Sequence, residues 1–306
     1  MVAGWPEQAR WPHRYGSVPA RALCEDTRNA SIPEALASPI APVDRRSGRA
    51  GALKKTLPIM PDLPQPIPAA TLIVMRDAPG APELLMVERA AQMAFAGGAL
   101  VFPGGRIDPG DVALASELGD AALAPKAAAI RETIEEVGLA VGLAPQPGAG
   151  DLQAMRARLH AGEPLSAVLG RHRIAPERLV PFARWQPERL VARLFDTHFF
   201  LAAAPEDAPT PVEDGTETAR AFWASAAQVL ADAEAGRAHL IFPTRRVLER
   251  LATLGSFAAA AAHAAAYPVR SITPWIERRD GVDQLCIPDD LGYPVTAEPL
   301  DKAQRR

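Results

Sequence analysis

The chain has 306 residues, which is enough for one large or two small domains, since a domain usually has roughly 100 to 200 residues. Hydrophobic residues make up 48% and charged residues 23%, as in an ordinary globular protein, and the net charge of -3 comes without long runs of one sign. This balance argues against nucleic acid as a partner, and no apolar stretch approaches the roughly 18 residues that a membrane span needs.

The cysteine content indicates the compartment. Cys24 and Cys286 are far apart and lack the spacing of a zinc site or a disulfide framework. The first twenty residues carry tryptophan, proline, arginine and histidine in place of an apolar signal core. We therefore expect a cytoplasmic protein that has no membrane partner.

The N-terminal part differs from the rest of the chain. Residues 1–66 are rich in proline, arginine, alanine and serine and show no sustained helical or strand period. This composition predicts a disordered extension, because such a segment cannot bury a core. A transit peptide fits less well, since the segment also contains several acidic residues. Met60 is an alternative start of the native protein, because organised sequence begins soon after it.

Residues 67–300 predict one mixed α/β domain, followed by a short tail at 301–306. Apolar runs on both sides of an Ala-Pro-Gly-Ala-Pro turn predict a hairpin, and a glycine pair and a helix with proline at its start come next. In chain order we predict strands at Ala70–Met75, Glu83–Arg89 and Ala99–Gly105, helices at Lys126–Val137, Asp151–His160 and Leu165–Arg171, strands at Thr197–Ala203 and Ala221–Trp223, helices at Ala226–Ala235 and over much of Arg245–Ala266, and a terminal hairpin of Trp275–Glu277 and Gln284–Ile287.

The segment RETIEEVGL carries the clearest chemistry. Glu132, Glu135 and Glu136 stand at positions i, i+3 and i+4, which places three carboxylates on one helical face. A hard divalent cation such as Mg²⁺ or Mn²⁺ would relieve their repulsion, because such ions take oxygen ligands and bind phosphates as well. Taken alone, such a helix is more often a solvated charged face. The loop before the helix therefore decides between the two interpretations.

That loop, FPGGRIDPGD, together with the helix resembles the box of the Nudix family. The box has a glycine, five residues, a glutamate, seven residues and then Arg-Glu-U-x-Glu-Glu-x-Gly-U, where U is a bulky aliphatic residue. The matching positions are Gly105, Arg131, Glu132, Glu135, Glu136, Gly138 and Leu139. Asp111 replaces the first glutamate, Thr133 replaces an aliphatic residue, and 19 residues instead of seven separate Asp111 from Arg131. The spacing therefore leaves the pairing of Asp111 with Arg131 open.

The resemblance implies a Nudix fold, a mixed sheet between helices, with an insertion in the box and extra C-terminal helices and a hairpin. It implies a diphosphatase that uses Mg²⁺ or Mn²⁺ held by Glu132, Glu135 and Glu136. A glutamate would be the general base, with Glu136 as first choice and Glu217 as second. Gly104 and Gly105 would let the backbone approach the substrate.

Further matches are similar to the branch of the family that cleaves coenzyme A, whose peroxisomal mammalian member and bacterial relatives also have an insertion in the box. They are LLMVERAAQMAFAGGALVFPGGRID (Leu84–Asp108), RLFDTHFFLA (Arg193–Ala202) and IFPTRRVLERL (Ile241–Leu251). Arg89, Arg245 and Arg246 are candidate substrate-binding cations, with surface solvation as the alternative for the last two.

Three matters stay open at this point. The substrate could instead be a nucleotide sugar or a dinucleotide, and a Nudix-fold binding module without catalysis is the alternative from another class. The retained box glutamates favour the enzyme. The oligomeric state, a homodimer included, does not follow from the sequence.

Overall fold

The computed structural model describes residues 65–93, 95–186 and 194–303. The predicted N-terminal extension lies outside the described residues apart from 65 and 66, and half of the predicted tail, residues 304–306, lies outside them as well.

The described residues form fourteen strands and eight α-helices. The strands are β1 Ile67–Arg76, β2 Glu83–Arg89, β3 Ala99–Val101, β4 Gly104–Arg106, β5 Leu143–Ala144, β6 Arg173–Ile174, β7 Val180–Trp185, β8 Phe195–Ala203, β9 Thr218–Ser225, β10 His239–Leu240, β11 Ser271–Ile272, β12 Trp275–Arg279, β13 Val282–Cys286 and β14 Ala297–Pro299. The helices are α1 Pro109–Glu117, α2 Ala124–Val137, α3 Ala149–His160, α4 Leu165–Val168, α5 Ala226–Glu234, α6 Phe242–Leu251, α7 Phe257–Ala266 and α8 Leu300–Ala303.

A mixed nine-stranded sheet forms the centre of the domain. Its main order is β10-β3-β2-β1-β8-β7-β11, with β4 also pairing with β1 and β9 with β2. β1 runs parallel to β8 over nine residue pairs and antiparallel to β2 and β4. The predicted first hairpin is therefore confirmed. The parallel neighbour of β1 comes from more than a hundred residues further along the chain.

Helices cover both faces of this sheet, as the alternating burial of β1 requires. Leu72 and Val74 face one core, which also contains apolar residues of α2, α3 and α4. Ile73 and Met75 face a second core, which contains residues of α5, α6 and α7. The α2 and α6 helices therefore lie on opposite faces of the sheet, and the predicted mixed sheet between helices is confirmed.

Local signals explain the limits of α2. Pro125 stands in its first turn, where a missing N–H costs nothing, and Gly138 ends it in a left-handed conformation with φ of 63°. Ile130 and Ile134 are fully buried on its inner face. The helix is thus fixed at both ends and along one side.

Three predicted elements differ from the structure. The helix predicted over Leu165–Arg171 ends at Val168, because the chain turns at Gly170 with φ of 55°. The predicted strand Ala99–Gly105 is two strands, β3 and β4, which pair with different neighbours. The box insertion contains α1, an element that the sequence analysis does not predict.

The C-terminal part matches its prediction more closely. The predicted terminal hairpin is present as β12 and β13, to which β14 is added. The helical stretch near Arg245–Ala266 consists of two helices, α6 and α7. None of the helices in residues 65–303 that the structure describes is long and apolar enough to span a membrane.

Candidate active site

Two glycines approach β1 where the predicted third strand is broken at Pro103. In the antiparallel register of β4 with β1, Gly104 lies opposite Thr71 and Gly105 opposite Ala70. A Cβ atom on Gly104 would collide with the Ala70 carbonyl oxygen and would lie 2.7 Å from the Thr71 Cα atom. Position 104 therefore requires glycine, because only backbone atoms fit at this distance.

Glu136 lies beside this glycine turn and is almost fully buried. The backbone N–H of Gly104 donates to its Oε2 atom at 3.0 Å, and 5% of the residue is exposed. Burial raises the pKa of the Glu136 carboxyl well above its usual value, and the negative charge of Glu132 raises it further. The Gly104 N–H and the Arg89 guanidinium act in the opposite direction. Such a carboxyl can accept a proton near neutral pH.

Glu132 fills the space that a side chain at position 105 would need. A Cβ atom on Gly105 would collide with the Glu132 carboxylate. Burial raises the pKa of Glu132 to about 7, against the opposing effect of Arg131. The glycine turn and the acidic face of α2 are therefore in direct steric contact.

Arg131 joins the helix to the segment before it. Its Nη2 atom donates to Asp111 Oδ2 at 2.9 Å and to the Arg106 carbonyl oxygen at 2.8 Å. Its Nη1 atom donates to Glu132 at 3.0 Å and to Glu135 at 2.8 Å. Burial raises the pKa of Glu135, and Arg131 opposes that change. One guanidinium thus holds three carboxylates in place.

The insertion folds in a way that leaves this pairing intact. Asp111 is in the first turn of α1, and its Oδ2 atom accepts the backbone N–H of Asp108 at 2.9 Å. Asp111 is 1% exposed. It is therefore fixed by its own helix and meets Arg131 across the 19 residues between them.

Thr133, which replaces an aliphatic residue of the family pattern, is also accommodated. Its side chain is fully buried, and its hydroxyl donates to the Ala129 carbonyl oxygen at 2.7 Å. The hydroxyl is thus satisfied within the helix, so the departure from the pattern does not disturb the core.

A loop after β8, residues 204–217, contacts the C-terminal end of α2. The N–H of Val212 donates to the Val137 carbonyl oxygen at 3.0 Å, and the Glu217 carbonyl oxygen accepts the N–H of Ala90 at 2.8 Å. This loop, which we call the acidic loop, therefore joins the end of α2 to the end of β2. The exposed side chain of Glu217 lies in it.

Asp214 of the acidic loop is a further acidic group near the glutamates. Its Oδ1 atom accepts the backbone N–H groups of Thr216, Glu217 and Thr218 at 2.9, 3.1 and 2.9 Å. Burial alone would raise the pKa of Asp214, but these hydrogen bonds hold it below its usual value. Its charge in turn raises the pKa of Glu136.

The predicted arginines separate into two groups. Arg89 is close enough for its charge to act on Glu136, and its Nε atom donates to the Phe95 carbonyl oxygen at 3.3 Å. Arg245 and Arg246 are on α6, across the sheet from α2. The structure therefore brings Arg89, but not the other two, to the acidic face of α2.

The α6 arginines are engaged in ion pairs of their own. Arg245 pairs with Glu234 at 2.5 Å and lines a cavity of about 590 Å³ on that face. Arg246 is 1% exposed, and its Nη2 atom donates to Glu249 at 2.9 Å and to Glu298 at 3.0 Å. These contacts explain both arginines as parts of the second face of the domain.

Two basic residues of α3 reach the end of α2, although the sequence analysis gives neither of them a role. The Nε and Nη2 atoms of Arg156 donate to the carbonyl oxygens of Glu135 and Glu136 at 2.9 and 3.1 Å. His160 Nε2 lies 3.0 Å from the Glu135 carbonyl oxygen. Contacts with backbone carbonyls leave no pattern of residue types, so a basic helix soon after the box was the only available signal.

The three glutamates of α2 fit a hard divalent cation by their chemistry. All are oxygen donors whose pKa is raised by burial, so their ionised forms lack sufficient compensation. Across the described stretches of the chain, no three His, Cys, Asp or Glu side chains are grouped closely enough to hold a metal ion alone. Mg²⁺ commonly binds through one or two carboxylates together with substrate phosphates, which agrees with this arrangement.

Comparison with known proteins places these residues in a family. Residues 66–242, more than half of the chain, match the model of the NUDIX domain. The chain is 28% identical to a NUDIX hydrolase from Alicyclobacillus acidocaldarius, with a TM-score of 0.58, over 66% of this chain and 97% of that one. No curated protein matches it.

Two further solved structures resemble it more distantly. One is a MutT NUDIX hydrolase from Burkholderia pseudomallei, at 16% identity, TM-score 0.36, and coverage of 61% of this chain and 98% of that one. The other is a C. elegans Ap4A hydrolase, at 17% identity, TM-score 0.31, and coverage of 55% and 86%.

Proposed function

The chain belongs to the NUDIX domain family and is a hydrolase, and we propose that it cleaves a diphosphate linkage in coenzyme A or a short acyl-coenzyme A. The observation that carries the diphosphatase proposal is the contact between the glycine turn and the buried carboxylates of Glu132 and Glu136. It combines a close backbone approach for a substrate with charges that need a cation.

Glu132, Glu135 and Glu136 would hold Mg²⁺ or Mn²⁺. A bound ion of this kind neutralises charge that develops at phosphorus and lowers the pKa of water. The substrate diphosphate would supply the remaining oxygen ligands, because the three side chains do not close around an ion by themselves.

The residues of the chain would perform the proton transfer and the positioning. A water attacks one phosphorus and gives its proton to Glu136, while the bond to the bridging oxygen breaks and the other phosphate leaves with the bonding electrons. The raised pKa of Glu136 and the N–H that fixes its Oε2 atom support this role. Glu217 in the acidic loop is the second candidate for the base. Arg89 would hold phosphate oxygens.

The substrate rests on resemblance. The stretches that resemble the coenzyme A branch are Leu84–Asp108, residues 193–202 and Ile241–Leu251. Cleavage would give 4′-phosphopantetheine, bare or acylated, and adenosine 3′,5′-bisphosphate. The 3′-phosphate requires a cation, and of the three candidate arginines Arg89 is the one beside Glu136.

A product assay with a panel of diphosphates tests the proposal. Coenzyme A, its 3′-dephospho form, ADP-ribose and a dinucleotide are compared with Mg²⁺ or Mn²⁺, after removal of metal with a chelator. We expect hydrolysis to stop with the chelator, to return with either ion, and to have its highest kcat/KM with coenzyme A. Arg89→Gln should reduce the preference for coenzyme A over the dephospho form.

Each other result has a distinct meaning. A higher kcat/KM for ADP-ribose or the dinucleotide would remove the coenzyme A proposal and leave the diphosphatase. Hydrolysis that resists the chelator would contradict the proposed use of metal. Binding of the panel without cleavage by the wild-type protein would identify a binding module instead of an enzyme.

A further inference from the structure

We propose that Arg156 is a positioning residue, whose guanidinium sets the last turn of α2 and thereby the placement of the Glu135 and Glu136 carboxylates. The inference rests on the proposed function of those glutamates. It concerns a residue outside the box, on a helix that follows it.

The carbonyl oxygens at the end of α2 show why an external group is needed. The last four carbonyls of a helix have no partner inside the regular helix. The Ile134 oxygen accepts the N–H of Gly138 at 3.0 Å, and the Val137 oxygen accepts an N–H from the acidic loop. The two carbonyls between them belong to Glu135 and Glu136, and the Arg156 guanidinium donates to both.

The geometry suits arginine in particular. A planar guanidinium donates along two directions at once, whereas an ammonium is a single point of charge. Arg156 bridges two successive carbonyls, and a cation there also complements the negative end of the helix dipole. Gly138 leaves the space for it, since a Cβ atom at that position would lie 3.1 Å from Arg156 Nη1.

Arg156 also lies between α2 and the acidic loop. Asp214 and Glu213 are close enough for their charges to act on its guanidinium, and Asp214 acts on Glu136 as well. The cation therefore screens the end of the acidic helix from the acidic loop. Without it, like charges would face each other where Val212 joins the loop to Val137.

Loss of Arg156 should affect the last turn more than the fold. The inner face of α2 is held by fully buried residues such as Ile130 and Ile134, which Arg156 does not contact through any of these hydrogen bonds. Released carbonyls would instead let the turn that carries Glu135 and Glu136 fray. The expected consequence is weaker metal binding and slower turnover, because the carboxylates would no longer be held in one arrangement.

The experiment compares Arg156→Ala and Arg156→Lys with Arg158→Ala in the full-length protein. Arg158 is the matched control, because it is on the same helix, is exposed and pairs only with Glu163 and the Ala167 carbonyl among these contacts. The measurements are Mn²⁺ affinity by electron paramagnetic resonance, amide hydrogen exchange over residues 134–139 without metal, kcat, KM and Tm.

For Arg156→Ala we expect Mn²⁺ affinity and kcat to fall about 10-fold or more, as for other groups that orient metal ligands. KM should change much less, exchange over 134–139 should accelerate, and Tm should stay close to that of Arg158→Ala. Arg156→Lys should be intermediate, because it keeps the charge but not the fork.

Unchanged Mn²⁺ affinity and exchange in a folded Arg156→Ala would overturn the inference. Equal losses in Arg158→Ala would also overturn it, since they would reflect α3 as a whole. If the wild-type protein cleaved no diphosphate, the proposed function would fail, while Mn²⁺ affinity and exchange would still decide the role of Arg156.

Discussion

Arg131 and Asp111 form a buried ion pair, with 2.9 Å between Nη2 and Oδ2, although 19 residues separate them in the sequence. Asp111 is 1% exposed and the Arg131 side chain 8%. The pair connects the segment after the glycine turn to the helix that carries the glutamates. It therefore belongs to the frame of the active site.

We expect Asp111→Ala to lower the free energy of unfolding by roughly 3 kcal/mol, because it leaves a buried guanidinium without its main partner. Denaturant titration measures the change. Arg171→Ala is the control, since its exposed pair with Asp151 should contribute no more than about 1 kcal/mol. Equal effects of the two substitutions would show that the buried pair has no special weight.

Glu136→Gln and Glu135→Gln should each lower kcat at least ~100-fold without unfolding the protein, because metal-held charge stabilisation contributes several kcal/mol to such reactions. Steady-state kinetics and thermal melting test this together. Glu117→Gln, an exposed glutamate of α1, should leave kcat unchanged. Near-normal rates in both helix variants would contradict the site.

The stability of the metal-free protein should fall as pH rises from about 4.5 to about 7, because of Glu132. Burial raises its pKa from 4.5 to about 7 in the folded state. Below this window the carboxyl is protonated in both states, and within it the unfolded chain loses a proton that the folded protein retains. The resulting loss is on the order of 3 kcal/mol at pH 7 and above, since one pKa unit corresponds to about 1.4 kcal/mol.

Melting of the wild type and Glu132→Gln across this pH range isolates the effect of Glu132. The variant should lose less stability than the wild type between pH 5 and 8, and saturating Mg²⁺ should reduce the loss in the wild type. Parallel curves for the two proteins would mean that Glu132 keeps an ordinary pKa.

A chain that begins at Met60 should retain the fold and the activity of the full chain. The reason is the composition of the preceding residues, which offers few apolar side chains for a core. Tm and kcat/KM of the two proteins provide the test. A Tm several degrees lower, or precipitation, would make residues 1–59 part of the domain.

Local sequence signals predicted much of the fold. The hairpin of β1 and β2 follows from two apolar runs and a turn, and α2 follows from good helix formers between Pro125 and Gly138. The parallel pairing of β1 with β8 could not be predicted in the same way. It joins segments far apart in sequence, and periodicity within a strand does not select its neighbours.

The same distinction applies to the candidate site. The glutamate spacing and the glycine pair are local, and the structure brings them together. The position of Arg245 depends on which face of the sheet α6 covers, which its own sequence does not determine. Arg156 and Asp214 act through backbone groups, so no pattern of residue types identifies them.

The α1 helix has a consequence for how such proteins are found. It fixes Asp111 at one end of the insertion and α2 fixes Arg131 at the other, so the length between them can change without moving either residue. Lengthening a loop costs little, since the entropy of closure grows only logarithmically. A database search that demands a fixed gap of seven residues would pass over this chain. A search with two anchored halves and a variable gap would recover it and other chains of the same construction.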